Sequence, residues 1–272
     1  MTRIFALANQ KGGVGKTTTA INLSAFLASW GRRVLLLDID PQANATTGLG
    51  LDRKDTLGRS IYEVLVDGIP LAEIVTLSNR VGLDVAPSSA ALAGAEVEMV
   101  AMENREYLLK TAIVPFVQHY DYVFIDCPPS LGLLTVNALA AADAVIVPVQ
   151  CEYLALEGLS QLMRTIELVQ RTLNAGLHIG GLVLTMYDPR TNLAQQVAAE
   201  VRTHFAQTFR SIIPRSVRLG EAPGYGQSIL DYDPQSKGAK AYEALAAEIE
   251  ARVMGARAQG PGVRRLSPMT EV

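Results

Sequence analysis

Cysteine is scarce in this chain. Cys127 and Cys151 are the only two in 272 residues, and no C-x-x-C spacing joins them. That excludes a disulfide framework and points to buried thiols in a reducing compartment. A metal or iron–sulfur role would need cysteines from two chains. Long apolar runs are missing too. None approaches the ~18 residues that a membrane span requires. The apolar part of the opening "MTRIFALA" is too short for a signal peptide and flows straight into a glycine-rich loop. A cytoplasmic protein is expected. Nor does positive charge dominate. Lys and Arg total 24 against 27 Asp and Glu, a formal net charge of −3. That excludes a globally basic nucleic-acid binder but leaves room for a local basic patch. Internal repeats and Ser/Gly linkers are also absent.

What is present is a chain that can bury a core. Hydrophobic residues make up 49%, which excludes disorder. The length suits one large α/β domain or two small ones. Short runs rich in Val, Ile and Leu predict strands at Ile4–Ala8, Val34–Asp38, Leu83–Ala86, Tyr122–Asp126, Ala144–Val149, Gly181–Thr185 and Ser211–Pro214. Most do not alternate polar with apolar, as expected of strands covered on both faces of a parallel sheet. Helices are predicted at Lys16–Trp30, Glu103–His119, Leu133–Ala141, Glu157–Leu173, Leu193–Phe209 and Lys237–Val253. Strand–helix alternation predicts a doubly wound, mostly parallel α/β sheet with helices on both faces. One domain over residues 1–254 is expected, followed by a flexible tail, 255–272, rich in Gly, Pro and Arg. The stretch Leu49–Glu73 is the least regular and reads as an insertion covering the site.

The segment "NQKGGVGKTT", Asn9–Thr18, lies between the first strand and the first helix. In that context Gly12, Gly13 and Gly15 let the backbone approach phosphate oxygens and aim N–H groups at them. Val14 and Thr18 complete the loop. The helix N-terminus adds partial positive charge. Lys16 would neutralise β- and γ-phosphate charge, and the Thr17 hydroxyl suits Mg²⁺. The ordinary pattern G-x-x-x-x-G-K-[ST] has Gln10 at its first glycine, and a second lysine, Lys11, sits early in the loop. Chemistry alone leaves two readings of Lys11. One is a solvated surface lysine. The other is a cation that crosses a two-fold axis to the partner's nucleotide, where such a charge is worth roughly 10³–10⁵ in rate.

Two acidic segments follow. "VLLLDIDPQANAT" ends its strand with Asp38 and Asp40, two apart and therefore leaving the strand on the same side. Ligands of doubly wound sheets bind at the carboxyl ends of strands, so one or both should approach the metal and the attacking water. "YDYVFIDCPPS" ends in Asp126 after four apolar residues, which suits holding Mg²⁺ directly or through water. Pro128 and Pro129 stiffen the turn beyond it.

"KGGVGKTT" resembles the deviant Walker A motif of the ParA/MinD group of P-loop ATPases, and the likeness extends over roughly residues 3–253. The resemblance implies an ATPase using ATP and Mg²⁺, with Lys11 as the signature lysine that contacts the partner's nucleotide. The Asp38–Asn44 segment is similar to that family's DxDPQxN pattern, in which Asp40 positions the hydrolytic water and approaches the metal. The Asp126–Pro129 segment is similar to its D-x-P-P switch. The same resemblance places Pro214, Arg215 and Met186 near adenine and Glu152 against nucleotide across the dimer.

Within that group the chain resembles the chromosome-partition branch, often called Soj. It starts at the first strand, without room for a helix-turn-helix domain, and its tail has no apolar face for a membrane helix. The two cysteines do not match the cluster-binding relatives. "LTMYDPRTNLAQQV" and "PRSVRLGEAPGYGQSILDYDPQSKGAKAY" carry this part of the likeness. It implies an ATP-dependent homodimer, associated with the nucleoid, that binds double-stranded DNA without sequence preference through Arg190 and Arg218. Lys237 and Lys240 add to the patch. A ParB-like centromere-binding partner would stimulate hydrolysis. The alternatives are an adaptor ATPase without a segregation role and a metabolic P-loop enzyme that activates a carboxylate.

Overall fold

The computed structural model describes residues 2–52, 54, 56–152 and 155–258. The chain runs β1 (Arg3–Leu7), α1 (Lys16–Ser29), β2 (Val34–Asp38), α2 (Asn44–Gly48), α3 (Ile61–Val66), α4 (Leu71–Ile74), β3 (Thr76–Leu77) and β4 (Leu83–Ala86). It continues through α5 (Leu92–Met99), α6 (Leu108–Ile113), β5 (Tyr122–Asp126), α7 (Leu133–Ala141), β6 (Ala144–Gln150) and α8 (Ala155–Thr172). Last come β7 (His178–Tyr187), α9 (Asn192–His204), β8 (Ile212–Pro214), α10 (Val217–Glu221), α11 (Ile229–Tyr232) and α12 (Lys237–Ala258). Among the described residues, no helix is long and apolar enough to cross a membrane.

The strands form one sheet in the order β3-β4-β2-β5-β1-β6-β7-β8. Every pairing is parallel except β3 with β4 at the edge. Apart from the exposed edge strand β3, alternate strand residues enter two separate cores. Ala6, Leu35, Leu37, Val123, Ile125 and Val145 pack beneath α3 and α5–α9. Phe5, Leu7, Leu36, Phe124, Ile146 and Val183 pack beneath α1 and α12 on the other face. Both faces being covered explains why these strands read as unbroken apolar runs. On the second face, the Tyr242 hydroxyl of α12 meets the Thr19 hydroxyl of α1 at 3.1 Å, both buried.

Register aligns the strand ends that matter. Asp126 at the end of β5 pairs with Leu7 of β1 on one side and with Asp38 of β2 on the other. The glycine-rich loop therefore begins beside two carboxylates contributed by neighbouring strands.

The structure departs from the sequence expectations in several places; α9 ends at His204, short of the expected Phe209, and the short α2, β3, α10 and α11 have no predicted counterpart. The predicted helix Glu103–His119 is only α6 followed by a 3₁₀ turn at Val117–His119. Pro115 separates them, since it has no N–H to donate and crowds the preceding turn. The irregular stretch Leu49–Glu73 holds α3 and the start of α4. Ile61, Val64, Leu65 and Leu71 are buried in the first core, so this segment is part of the packing. A capping box, Ser60 with Glu63, starts α3. α5 was not predicted; its glycine and alternating acids hide a buried edge of Leu92, Ala95 and Met99. α12 runs through Gly255 to Ala258, past the expected end at Val253. The rest of the expected tail lies outside the described residues.

Candidate nucleotide-binding site

The loop between β1 and α1 is built for an anion. Gly13 has φ 73° and Gly15 φ 90°, left-handed conformations that a side chain would strain. Gly15 is the N-cap of α1, no side chain caps that end, and no acid occupies its first turn. The helix thus begins with free N–H groups and an uncompensated dipole. The loop is held from behind by residues far away in sequence. The Asn9 amide donates to the Pro148 carbonyl at 2.7 Å and accepts from the Lys11 N–H at 3.0 Å. The Thr185 hydroxyl of β7 donates to the Val14 carbonyl at 2.8 Å. Lys16 is buried, and its Nζ donates to the Lys11 carbonyl across the loop at 3.3 Å. Burial lowers its pKa, while Asp126, Cys127 and Asp40 oppose that fall.

The acids lie where the register puts them. Asp38 is buried and its carboxylate accepts from the Thr46 N–H at 2.8 Å and the Thr46 hydroxyl at 2.7 Å. It also accepts from the Asp40 N–H at 3.1 Å. Burial nonetheless pushes Asp38 up to about 6, with the Asp40 charge adding to the rise. Asp38 is therefore tied into the loop by Thr46, while the buried Asp40 carboxylate accepts from the Gln42 N–H at 2.9 Å. The Asp40 loop is closed by the Ser88 hydroxyl, which donates to the Asp40 carbonyl at 2.7 Å. Asp126 is fully buried, and neither carboxylate oxygen has a hydrogen-bond partner. Burial first, then the Asp38 charge, raises its pKa well above the carboxylate range. Thr17 lies near enough to lower it, without reaching hydrogen-bond geometry.

An orphaned buried carboxylate beside Lys16 and Thr17 fits a hydrated divalent cation shared with phosphate oxygens. No group of three or more His, Cys, Asp or Glu side chains among the described residues could hold a metal by themselves. The two thiols take no part: burial pushes the pKa of Cys127 up, and that of Cys151 to about 11.

Lys11 stands at the rim, half-exposed. Its Nζ is 3.8 Å from Glu152, whose other carboxylate oxygen accepts from Arg215 at 3.1 Å. Arg215 belongs to a second cluster. Its N–H donates to the Tyr187 carbonyl at 3.0 Å, Pro214 pairs with Tyr187, and Met186 next to it has φ 50°. The Met186 sulfur accepts from Gln150 at 3.3 Å. Lys11, Glu152 and Arg215 thus form one chain of contacts, with Pro214 and Met186 on the strands beside Arg215.

The four cations expected to meet DNA fall into two groups. Arg190 is exposed and paired twice with Asp188, at 2.9 and 2.7 Å. Those bonds, with Arg215 adding its charge, lower Asp188 to about 2. Arg218 on α10 reaches Glu221 at 3.0 Å and Asp233 at 3.6 Å. Asp233 shortly precedes exposed Lys237 and Lys240 at the start of α12. Asn9, Thr46, Ser88 and Thr185 escaped the sequence reading. Asn9, Thr46 and Thr185 stood inside segments already singled out, whereas Ser88 lies in the connection after β4, outside all of them.

Residues 2–179 match a family model described as an AAA domain. The chain is 54% identical over 252 residues to the sporulation initiation inhibitor protein Soj of Bacillus subtilis, covering 92% of this chain and 99% of that protein. It is equally 54% identical over 251 residues to the chromosome partitioning protein ParA of Myxococcus xanthus, covering 92% and 88%. This chain belongs to the ParA/Soj family of P-loop ATPases. A solved structure from Mycobacterium smegmatis, described as cobyrinic acid a,c-diamide synthase with bound ATP analog and magnesium, shares its fold. The TM-score is 0.82 at 40% identity, with 93% of this chain and 96% of that one covered. A putative plasmid partition protein of Borrelia burgdorferi bound to AMPPNP gives 0.78 at 28% identity, covering 93% and 100%. The ParA-type loop, with Lys11 at the rim and Lys16 in the interior, divides the two lysines by burial.

Proposed function

We propose that this chain is a chromosome-partition ATPase of the ParA type, a single domain whose ATP-bound dimer holds DNA. ATP and Mg²⁺ sit over the glycine-rich loop. Lys16 and the α1 N-terminus would neutralise the phosphates, and Thr17 with Asp126 would hold Mg²⁺, which when bound would supply charge stabilisation for phosphoryl transfer. Asp40 orients the attacking water. Lys11 leaves Glu152 and crosses to the nucleotide of the second copy, so closure depends on the γ-phosphate. Pro214, Arg215 and Met186 flank adenine. Arg190, Arg218, Lys237 and Lys240, doubled in the dimer, meet DNA phosphates. A ParB-like partner accelerates hydrolysis, and loss of the γ-phosphate opens the dimer and frees the DNA. The observation that carries this reading is the unpartnered Asp126 carboxylate, buried in register with Asp38 beside Lys16 and Thr17.

DNA retention in the presence of ATP tests it, on the parent and on Lys11→Ala, Asp40→Ala and Arg218→Glu. ATP should induce retention, Asp40→Ala should prolong it, and the other two should abolish it. ATP-dependent dimers that retain no DNA at low salt would leave an adaptor ATPase instead. The likeness to a protein described as a synthase makes product analysis worthwhile. ADP and phosphate alone, with no acceptor consumed, are expected.

A further inference from the structure

α7 begins seven residues after Asp126, at the far end of the turn containing Pro128 and Pro129. Its N-cap is Gly132, which offers no side chain, and its first turn contains no acid. A helix that starts this way lacks both a cap and a charge for its dipole. The missing carboxylate comes from another element. Glu96 of α5 accepts from the Leu134 N–H at 3.3 Å, and it lies so close over Gly132 that a Cβ there would collide with it. A side chain at position 132 would have to push this carboxylate aside.

α5 is a fixed support. The strand-to-helix connection before it is tied to the other acidic loop: Ser88 N–H donates to Thr46 Oγ1 at 2.9 Å and Ser88 Oγ donates to the Asp40 carbonyl. Leu92, Ala95 and Met99 anchor α5 in the core. The turn that Glu96 steadies lies beside the glycine-rich loop: a Cβ added to Gly12 would sit 3.8 Å from Pro129 Cβ. We propose that Glu96 is a positioning residue: it caps α7 from a neighbouring helix and so sets where the Asp126 turn stands against the phosphate loop. It touches no reacting atom and acts through the α7 N-terminus. This rests on the ATPase reading above.

The test has two readouts on the full chain. The first is amide hydrogen exchange over residues 128–136 without nucleotide. Glu96→Ala should speed it about tenfold, because the Leu134 N–H and the turn before it lose their anchor. Glu96→Gln, which keeps an acceptor, should stay near the parent. The second readout is the Mg²⁺ concentration for half-maximal ATP hydrolysis. Glu96→Ala should raise it about three- to tenfold, with Glu96→Gln in between. Ser228→Ala, which uncaps the distant α11, controls for general destabilisation and should move neither. Unchanged exchange, or a Mg²⁺ curve for Glu96→Ala that matches Ser228→Ala, overturns the proposal while the ATPase reading stands. A parent chain that hydrolyses no ATP overturns both.

Discussion

Asp126 is a fully buried carboxyl held without a hydrogen-bond partner. Its pKa is raised by burial, so the unfolded chain releases this proton at a lower pH than the folded chain does. Folding stability from this group is full below the ordinary carboxylate pKa and is lost as pH rises. Asp38 behaves the same way, losing its contribution as pH rises towards about 6. The nucleotide-free chain should therefore gain stability from Asp126→Asn at pH 7.5, by about 1–3 kcal/mol. Thermal melts should show a rise of about 2–8 °C that shrinks towards pH 4. The same variant should lose the stabilisation that Mg²⁺ and ATP give the parent, about 3 kcal/mol at a hundredfold excess over Kd. A lower melting temperature at pH 7.5 would mean that Asp126 is internally compensated. Lys11 and Lys16 show the same logic in cations. Identical side chains five residues apart differ in burial, and on the proposed reading burial would divide a phosphate ligand from a group free to leave.

At the scale of elements, the site depends on contacts that bring distant segments close. Gly226 follows the 3₁₀ turn at Ala222–Tyr225 with φ 66°, and a Cβ there would lie 2.6 Å from the Gly50 Cα. Gly226→Ala should cost about 2–4 kcal/mol, from left-handed strain plus backbone collision. Urea denaturation with an unchanged m-value checks this. Across the α1–α12 interface, Tyr242→Phe removes one partner of a buried hydroxyl pair and leaves Thr19 unsatisfied. A loss of about 1–2 kcal/mol is expected, with ATP hydrolysis by the folded chain unchanged. A loss near zero would mean that water replaces the missing hydroxyl.

For the whole molecule, a net charge of −3 means that the proposed DNA binding would have to come from a local patch multiplied by dimerisation. The logarithm of affinity should fall linearly with the logarithm of salt. Arg218→Ala, removing one cation from each of two copies, should flatten that slope by about 2 while lowering affinity evenly across DNA sequences. A slope that stays the same would leave Arg218 with its own carboxylates, Glu221 and Asp233, and outside the DNA interface.

The parallel sheet and the phosphate loop could be read from the chain alone, for a local reason. Strands covered on both faces are continuous apolar runs, and the loop's glycines, Lys16 and Thr17 are contiguous. Asp38, Asp40 and Asp126 were legible for the same reason, each ending such a run. Helices of four to eight residues were not, because α3 and α5 are too short to show a period. Nor was the division of labour among the acids. Asp38 becomes structural because Thr46 folds back onto it, and Asp126 stays unpartnered because register buries it between β1 and β2. Ser88, Glu96 and Thr185 hold the loops from other strands and helices. Such long-range hydrogen bonds leave no pattern in neighbouring residues; they exist only once the sheet has brought the segments together.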